Sequence, residues 1–269
     1  MDSTLLLQQL INGVSLGSMY ALIAIGYTMV YGVLRLINFA HGEIMMIGAY
    51  TALFCITAMN VPFLGALSLA MIFAACVGIA MDKIAYKPLR KAPRISLLIT
   101  AIGMSFLIQN LFNISFGSAP RAFVVPSYLE QNIEFKGLSI SVVSIFVPVL
   151  TFIILALVLF MLYKSKYGVA IRALAFDVYM VNLMGIDANK IISIVFALGS
   201  ALAAVGGVFW AINYPSVEPS MGILIGLKAF AAAVLGGIGS VVGAVIGALI
   251  IGFSEVIAVA FFPELAGFK

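Results

Sequence analysis

Charge is the scarcest property of this sequence. Its 269 residues include 14 Lys or Arg and 10 Asp or Glu, so 9% are charged while 64% are hydrophobic. Soluble domains carry about 25% charged residues, so a soluble globular fold is excluded. Cysteine is nearly absent. Cys55 and Cys76 both lie inside apolar runs and are read as small core residues, which excludes a disulfide framework and a cysteine metal site. His41 is the one histidine, so "HGEIM" cannot supply the two imidazoles of an H-E-x-x-H metalloprotease. Ser254 in "GFSEV" has no supporting signature of an intramembrane serine protease. No G-x-x-x-x-G-K-[ST] phosphate loop occurs either, which excludes an ATP site of that type. The N-terminal "MDSTLLLQQL" has Asp2 and no basic region before its apolar run, so that run is expected to stay as a helix rather than be cleaved.

What the chain has is apolar length. A helix needs about 20 apolar residues to cross a bilayer. Eight hydrophobic segments are read at roughly 7–33, 38–59, 62–82, 95–117, 139–163, 190–212, 222–236 and 240–262, the seventh shorter than the rest, with a mean hydropathy of +1.22 overall. The short alternating segments of a membrane β-barrel are missing. The fold class is therefore all-α, a polytopic transmembrane helical bundle of about eight spans. One set of alternate loops holds ten basic residues: Arg35, Lys83, Lys87, Arg90, Lys91, Arg94, Lys164, Lys166, Arg172 and Lys190. The opposite set holds Arg121, Lys136 and Lys269. The positive-inside rule puts the first set in the cytoplasm and the N-terminus outside. Small residues at four-residue spacing (Gly239, Gly243, Gly247; Gly199, Ala203, Gly207; Gly13, Gly17) predict close helix packing.

Ionisable residues within spans face a bundle interior or a cavity, because lipid cannot solvate them. The candidates for a path or gate are Asn38, His41, Glu43, Lys228 and Glu255; Asp82, beside Lys83, is read as interfacial. Asn38 suits an N-cap, which would make "NFAHGE" a capped helix start near the cytoplasmic surface. A gate or subunit contact is the alternative. Measured from the cytoplasmic helix ends, Glu43 lies about 8 Å in, Lys228 about 12 Å and Glu255 about 22 Å. On that basis Glu43 is expected to pair with Lys228, with Arg35 as a competing partner and His41 holding the helix start. The seventh segment spans 15 residues and ends in "GGIGS", with a helix break at Gly236, Gly237 and Gly239. Short glycine-interrupted segments mark discontinuous helices near transport paths; a tilted short helix with a tight turn is the plain alternative. Residues 164–189 lie in a loop by topology, yet Ile171, Leu174, Val178, Val181 and Met184 recur at helical spacing. A short helix over 168–187 is expected on the cytoplasmic face, its apolar side covered by membrane or by a docked partner.

"NGVSLGSMYALIAIGYTMVYGV", "INFAHGEIMMIGAY", "RALAFDVYMVNLMGID" and "LKAFAAAVLGGIGSVVGAVIGALIIG" closely resemble the LivH-type permease of bacterial branched-chain amino acid ABC importers, over nearly the whole chain. "NFAHGE" and "KAFAAAVLGGIGS" are specific to this group and its close relatives; urea-type relatives share a similar "AHGE" stretch. The resemblance implies one transmembrane permease domain over 1–269 in the bacterial inner membrane. It implies as partners a LivM-like second permease, two cytoplasmic ATPases and an extracytoplasmic binding protein within membrane lipid, with no cofactor, metal or nucleic acid. It also implies that 164–189 contacts the ATPase, where Arg172, Ala175, Asp177, Leu183 and Gly185 fall on the family pattern. Phe176 departs from that pattern, which tends to be polar there. Relatives continue beyond "FFPELAGFK" through one more apolar helix, so such a helix is expected in the intact protein. The rival class is a free-standing channel or secondary transporter for urea or another small solute. Secondary transport usually leaves coupling acids at the midplane, and Glu43 and Glu255 alone make that a thin case.

Overall fold

The computed structural model describes residues 3–135 and 138–261. Residues 262–269, where the sequence leads toward the expected further helix, lie outside the described residues. The long apolar helices are α1 (Ser3–Leu34), α3 (Phe63–Met81), α4 (Arg94–Phe116), α5 (Val142–Lys164), α8 (Ala188–Asn213) and α10 (Val241–Phe261). These six are long and apolar enough to cross a membrane. Two others are shorter: α2 (His41–Thr57) has 17 residues and α9 (Met221–Leu235) has 15, about 26 and 22 Å. Two small helices, α6 (Lys166–Phe176) and α7 (Val178–Leu183), fill the loop between α5 and α8.

The layering follows from burial. Along α1, residues 13–30 are buried almost without interruption, as are residues 41–50 of α2. A helix apolar on every side belongs in the middle, and α8 packs against both. Small residues permit the approach: a Cβ on Gly252 of α10 would lie 2.5 Å from the Cα of Gly17 on α1. The outer helices α3, α4 and α5 instead present Ile72, Phe73, Ile99, Phe106, Phe152 and Leu157 outward, as a lipid-facing surface requires. Cys55 is buried, but Cys76 is exposed on α3, which corrects its reading as a core residue. The apolar run alone does not say which side of a helix faces lipid.

The three basic segments share one end of the bundle. Arg35 Nη2, just past α1, donates to the carbonyl of Ala175 on α6 at 3.3 Å, and Arg90, past α3, bonds Asn189 at the start of α8. Here α3 runs on through a π-helical turn, Asp82–Tyr86, and a 3-10 turn, Lys87–Leu89. Asp82 is fully buried, paired with Arg90 and accepting from Ser193 Oγ at 2.6 Å. It ties α3 to α8 and is not the interfacial residue its neighbour Lys83 suggests. At the other end, 118–138 is more ordered than a plain loop. Strand β1 (Arg121–Ala122) pairs antiparallel with β4 (Ser216–Val217), and β2 (Asn132–Phe135) with β3 (Leu138–Ser141). The fifth span therefore begins at Val142 rather than 139, where Ser141 Oγ caps α5 by accepting from the Val143 N–H.

Candidate functional site

Two short helices start inside the bundle. The residue after α1, Arg35, has a left-handed backbone (φ +50°), and the chain then turns back inward. Leu36, Asn38 and Ala40 are all buried. His41, the first residue of α2, packs edge-on to Tyr27 with ring centroids 4.6 Å apart. It also abuts Gly26, eight residues before the end of α1. That places the start of α2 about 12 Å in from that end. The N-terminal turns of α9 meet it there: a Cβ on Gly222 would lie 2.7 Å from the Gly42 carbonyl, and one on Gly226 would lie 2.9 Å from the Gly42 Cα. Only bare backbone allows this approach, so glycine is required on both helices.

Asn38, His41 and Glu43 are thus each 1–2% exposed, not interfacial. Asn38 is not the N-cap of α2; Ala40 holds that position without a side-chain bond. The Asn38 side chain instead accepts from the Tyr86 hydroxyl at 2.6 Å, and Tyr86 stacks on Phe196 of α8. Glu43 Oε1 accepts from Ser105 Oγ of α4 at 3.1 Å, while Oε2 lies against Gly222.

The expected Glu43–Lys228 pair does not form. Lys228 Nζ donates to Glu255 Oε1 at 2.8 Å, and Tyr20 on α1 donates to Glu255 Oε2 at 2.8 Å. The reason is rotation about the helix axis rather than depth. Gly226 faces α2, and Lys228, two residues on, points about 200° away toward the hairpin partner α10. Glu255 thereby has both oxygens satisfied, as a charge within a membrane bundle needs. Next to this network, at the end opposite the basic segments, lies a polar cavity of about 460 Å³ lined by Gln9, Asn12, Ser15, Ser144, Asn213 and Tyr214. Tyr20, Ser105 and Tyr86 escape a sequence reading, because nothing in their spacing links them to partners as far as 235 residues away.

"GGIGS" is a tight turn in the α9–α10 hairpin. Gly236 caps α9, and Gly237 and Gly239 hold φ of +88° and +100°. The discontinuity of α9 is at its other end, mid-bundle.

The 164–189 segment forms two helices where one was expected. Asp177 breaks them, its carboxylate accepting from the N–H groups of Tyr179 (2.7 Å) and Met180 (3.1 Å) to cap α7. Arg172 bonds the Leu162 carbonyl and lies over the Tyr163 ring, which locks α6 onto α5. Gly185 ends α7 in a left-handed conformation (φ +81°). The bundle itself covers Ile171, Leu174 and Val181. The expected stripe is split, because Val178 and Met184 stand in the open together with Phe176, Tyr179, Met180 and Leu183, with Phe176 87% exposed.

Residues 9–268 match the family described as "Branched-chain amino acid transport system / permease component". The chain is 44% identical to the high-affinity branched-chain amino acid transport system permease protein BraD of Pseudomonas aeruginosa, over 93% of this chain and 85% of that protein. It is 42% identical to the corresponding permease protein LivH of Escherichia coli strain K12, over 95% of this chain and 86% of that one. A probable LivH of Methanocaldococcus jannaschii is 32% identical over 88% of this chain and 76% of that protein. No solved structure matches. With its polytopic helical bundle and these relatives, the chain belongs to the permease component family of branched-chain amino acid transport systems.

Proposed function

We propose that the chain is the transmembrane permease subunit of an ATP-driven importer and forms half of the path for branched-chain amino acids across the bacterial inner membrane. The observation that carries this is likeness over nearly the whole chain to permeases of that transport. ATP hydrolysis belongs to partner subunits. A second, LivM-like permease, two cytoplasmic ATPases and an extracytoplasmic binding protein complete the system.

Geometry supports the division of labour. The end of the bundle with the basic segments faces the cytoplasm. There α6 and α7 are fastened to the bundle by Arg172 and by the bond from Arg35 to Ala175, while their outer apolar face stays open. A rigidly mounted, exposed apolar face among charged segments suits a docked protein. Force applied to α7 passes through Ile186 and Asp187 directly into α8, whose first N–H groups Asp187 caps. Arg172, Ala175, Asp177 and Gly185 shape this coupling element, and Leu183 touches the ATPase. The polar cavity at the opposite end receives substrate from the binding protein. Asn38, His41 and Glu43 form the mid-bundle constriction, with Lys228 and Glu255 bracing it from α9 and α10.

The test is reconstitution of the full complex in proteoliposomes. Leucine uptake should require both ATP and the loaded binding protein, and the ATPase subunits should co-purify with this chain. Uptake without ATP, or a permease that purifies free of any ATPase, would favour a channel or secondary transporter.

A further inference from the structure

Between α4 and α9 runs a groove of about 260 Å³ that the bundle does not fill. Its walls are Tyr27, Phe39, Ile102, Phe106, Ile223 and Leu227, so its surface is mostly apolar. Beneath it sits Glu43. Ser105, which lines the groove, donates to Glu43 Oε1, and Gly222, which also lines it, lies against Glu43 Oε2. That second oxygen is buried and has no hydrogen-bond partner among the described residues. A carboxylate oxygen buried without a donor is costly, and a lipid chain in the groove would not relieve it.

We infer that this groove is a transit site for an aliphatic amino acid, with Glu43 receiving the α-ammonium and the α4–α9 walls receiving the side chain. The inference rests on the functional reading above. The chemistry is complementary on each count. An ammonium supplies the N–H donors that Glu43 Oε2 lacks. A branched aliphatic side chain matches walls made of isoleucine, leucine and phenylalanine rings, and the volume suits a ligand smaller than drug size. The N-terminus of α9 opens on the groove at Gly222 and Ile223, so its dipole favours the amino acid's carboxylate. Access to Glu43 comes from α4, which is the least buried of the long helices. Among its described side chains, Ser105 is the one that hydrogen-bonds to another helix. Outward movement of α4 breaks that bond and exposes the carboxylate to the groove.

The experiment compares leucine and valine uptake by the full complex in proteoliposomes, with one binding protein throughout, so that a changed ratio must come from the permease. Ile223→Phe narrows the groove, and Ile102→Ala widens it. A methylene in an apolar pocket discriminates by roughly 10-fold or more. The leucine-to-valine ratio should fall by about that factor in Ile223→Phe and rise in Ile102→Ala. Because both residues wall the proposed site, absolute uptake is expected to change as well, and the ratio is the quantity that decides. Should Ile223→Phe fail to assemble, Ile102→Ala carries the test alone. An unchanged ratio in the variants that assemble overturns the proposal, as does an equal loss of leucine uptake, valine uptake and ATPase stimulation. A wild-type complex that moves no branched-chain amino acid overturns the functional reading itself, a result distinct from either.

Discussion

The meeting of α2 with α9 and the α6–α7 surface are built on opposite rules. Inside the bundle, Asn38, His41 and Glu43 are shut away from solvent, and the helices touch through bare glycine backbone. On the α6–α7 surface, Phe176, Tyr179, Met180, Leu183 and Met184 stand open at the charged end of the molecule. The interior holds polar groups that must find partners in the protein, since a bilayer offers none. The surface holds apolar groups that water does not favour. The interior is therefore closely packed and intolerant of added volume, though Glu43 Oε2 finds no partner among the described residues. The surface leaves its apolar groups open in this chain and is tolerant of substitution as far as folding goes. The contrast explains why single changes in the two regions should fail in different assays.

The largest effect is expected where glycine faces glycine. Gly222→Leu drives side-chain atoms into the Gly42 carbonyl and the Glu43 carboxylate. Overpacking a tight core costs about 1–3 kcal/mol or more, and here the neighbour is backbone. Little monodisperse protein should survive detergent extraction on size-exclusion chromatography; a normal yield would show that α2 and α9 do not meet as described.

Next comes the ion pair. Lys228→Met leaves Glu255 with Tyr20 alone, and Glu255→Gln leaves Lys228 without its anion. Stranding one member of a buried pair costs about 3–5 kcal/mol. Partial exposure of both side chains lowers that, so about 1–3 kcal/mol is expected from thermal melts in detergent. The double variant should recover much of the loss. Glu43→Gln combined with Lys228→Met should be additive, since these residues are not partners.

On the surface, Leu183→Asp should leave stability within about 0.5 kcal/mol yet strongly reduce ATP-driven uptake. Gly185 is a poorer probe of docking, because any side chain there is strained by its φ of +81° whatever it touches. A substitution at Gly185 mixes local unfolding with lost contact, and a matching stability loss would expose that mixture.

The smallest effect belongs to the cysteines. Cys76 stands on the outward, lipid-facing side of α3, so both Cys76→Ser and the bulkier Cys76→Phe should transport and melt as the unaltered protein does. A loss of stability in Cys76→Phe would contradict the outward face given to α3.

Each of the eight apolar runs holds a helix, because continuous apolar length is a strong signal, but only six of those helices among the described residues are long and apolar enough to cross a membrane. The short seventh segment was legible for the same reason: α9, Met221–Leu235, has the length read for 222–236 and is shifted by one residue. Partners of buried polar residues were not legible. Depth along a helix can be counted from its end, but rotation and neighbour cannot, so depth alone pairs Lys228 with Glu43 where its direction selects Glu255. The same gap hid Tyr86 behind an N-cap reading of Asn38, and Ser193 and Arg90 behind an interfacial reading of Asp82. On α6 and α7 the helical period was visible. Which members of its apolar stripe the bundle covers was not legible: Ile171, Leu174 and Val181 are buried while Val178 and Met184 are exposed, and the bonds of Arg172 to α5 and of Arg35 to α6 that fix this placement are encoded by no local pattern.

The most direct test of the account asks what covers α7. In inverted membrane vesicles carrying the full complex, a short photoactivatable cross-linker is placed at Leu183→Cys, at Met184→Cys and, as the buried control, at Val181→Cys, each on a background without Cys55 and Cys76. The two exposed positions should capture an ATPase subunit, and Val181→Cys should capture none. Capture of lipid alone at Leu183 and Met184, or equal capture of the ATPase at all three positions, would contradict this.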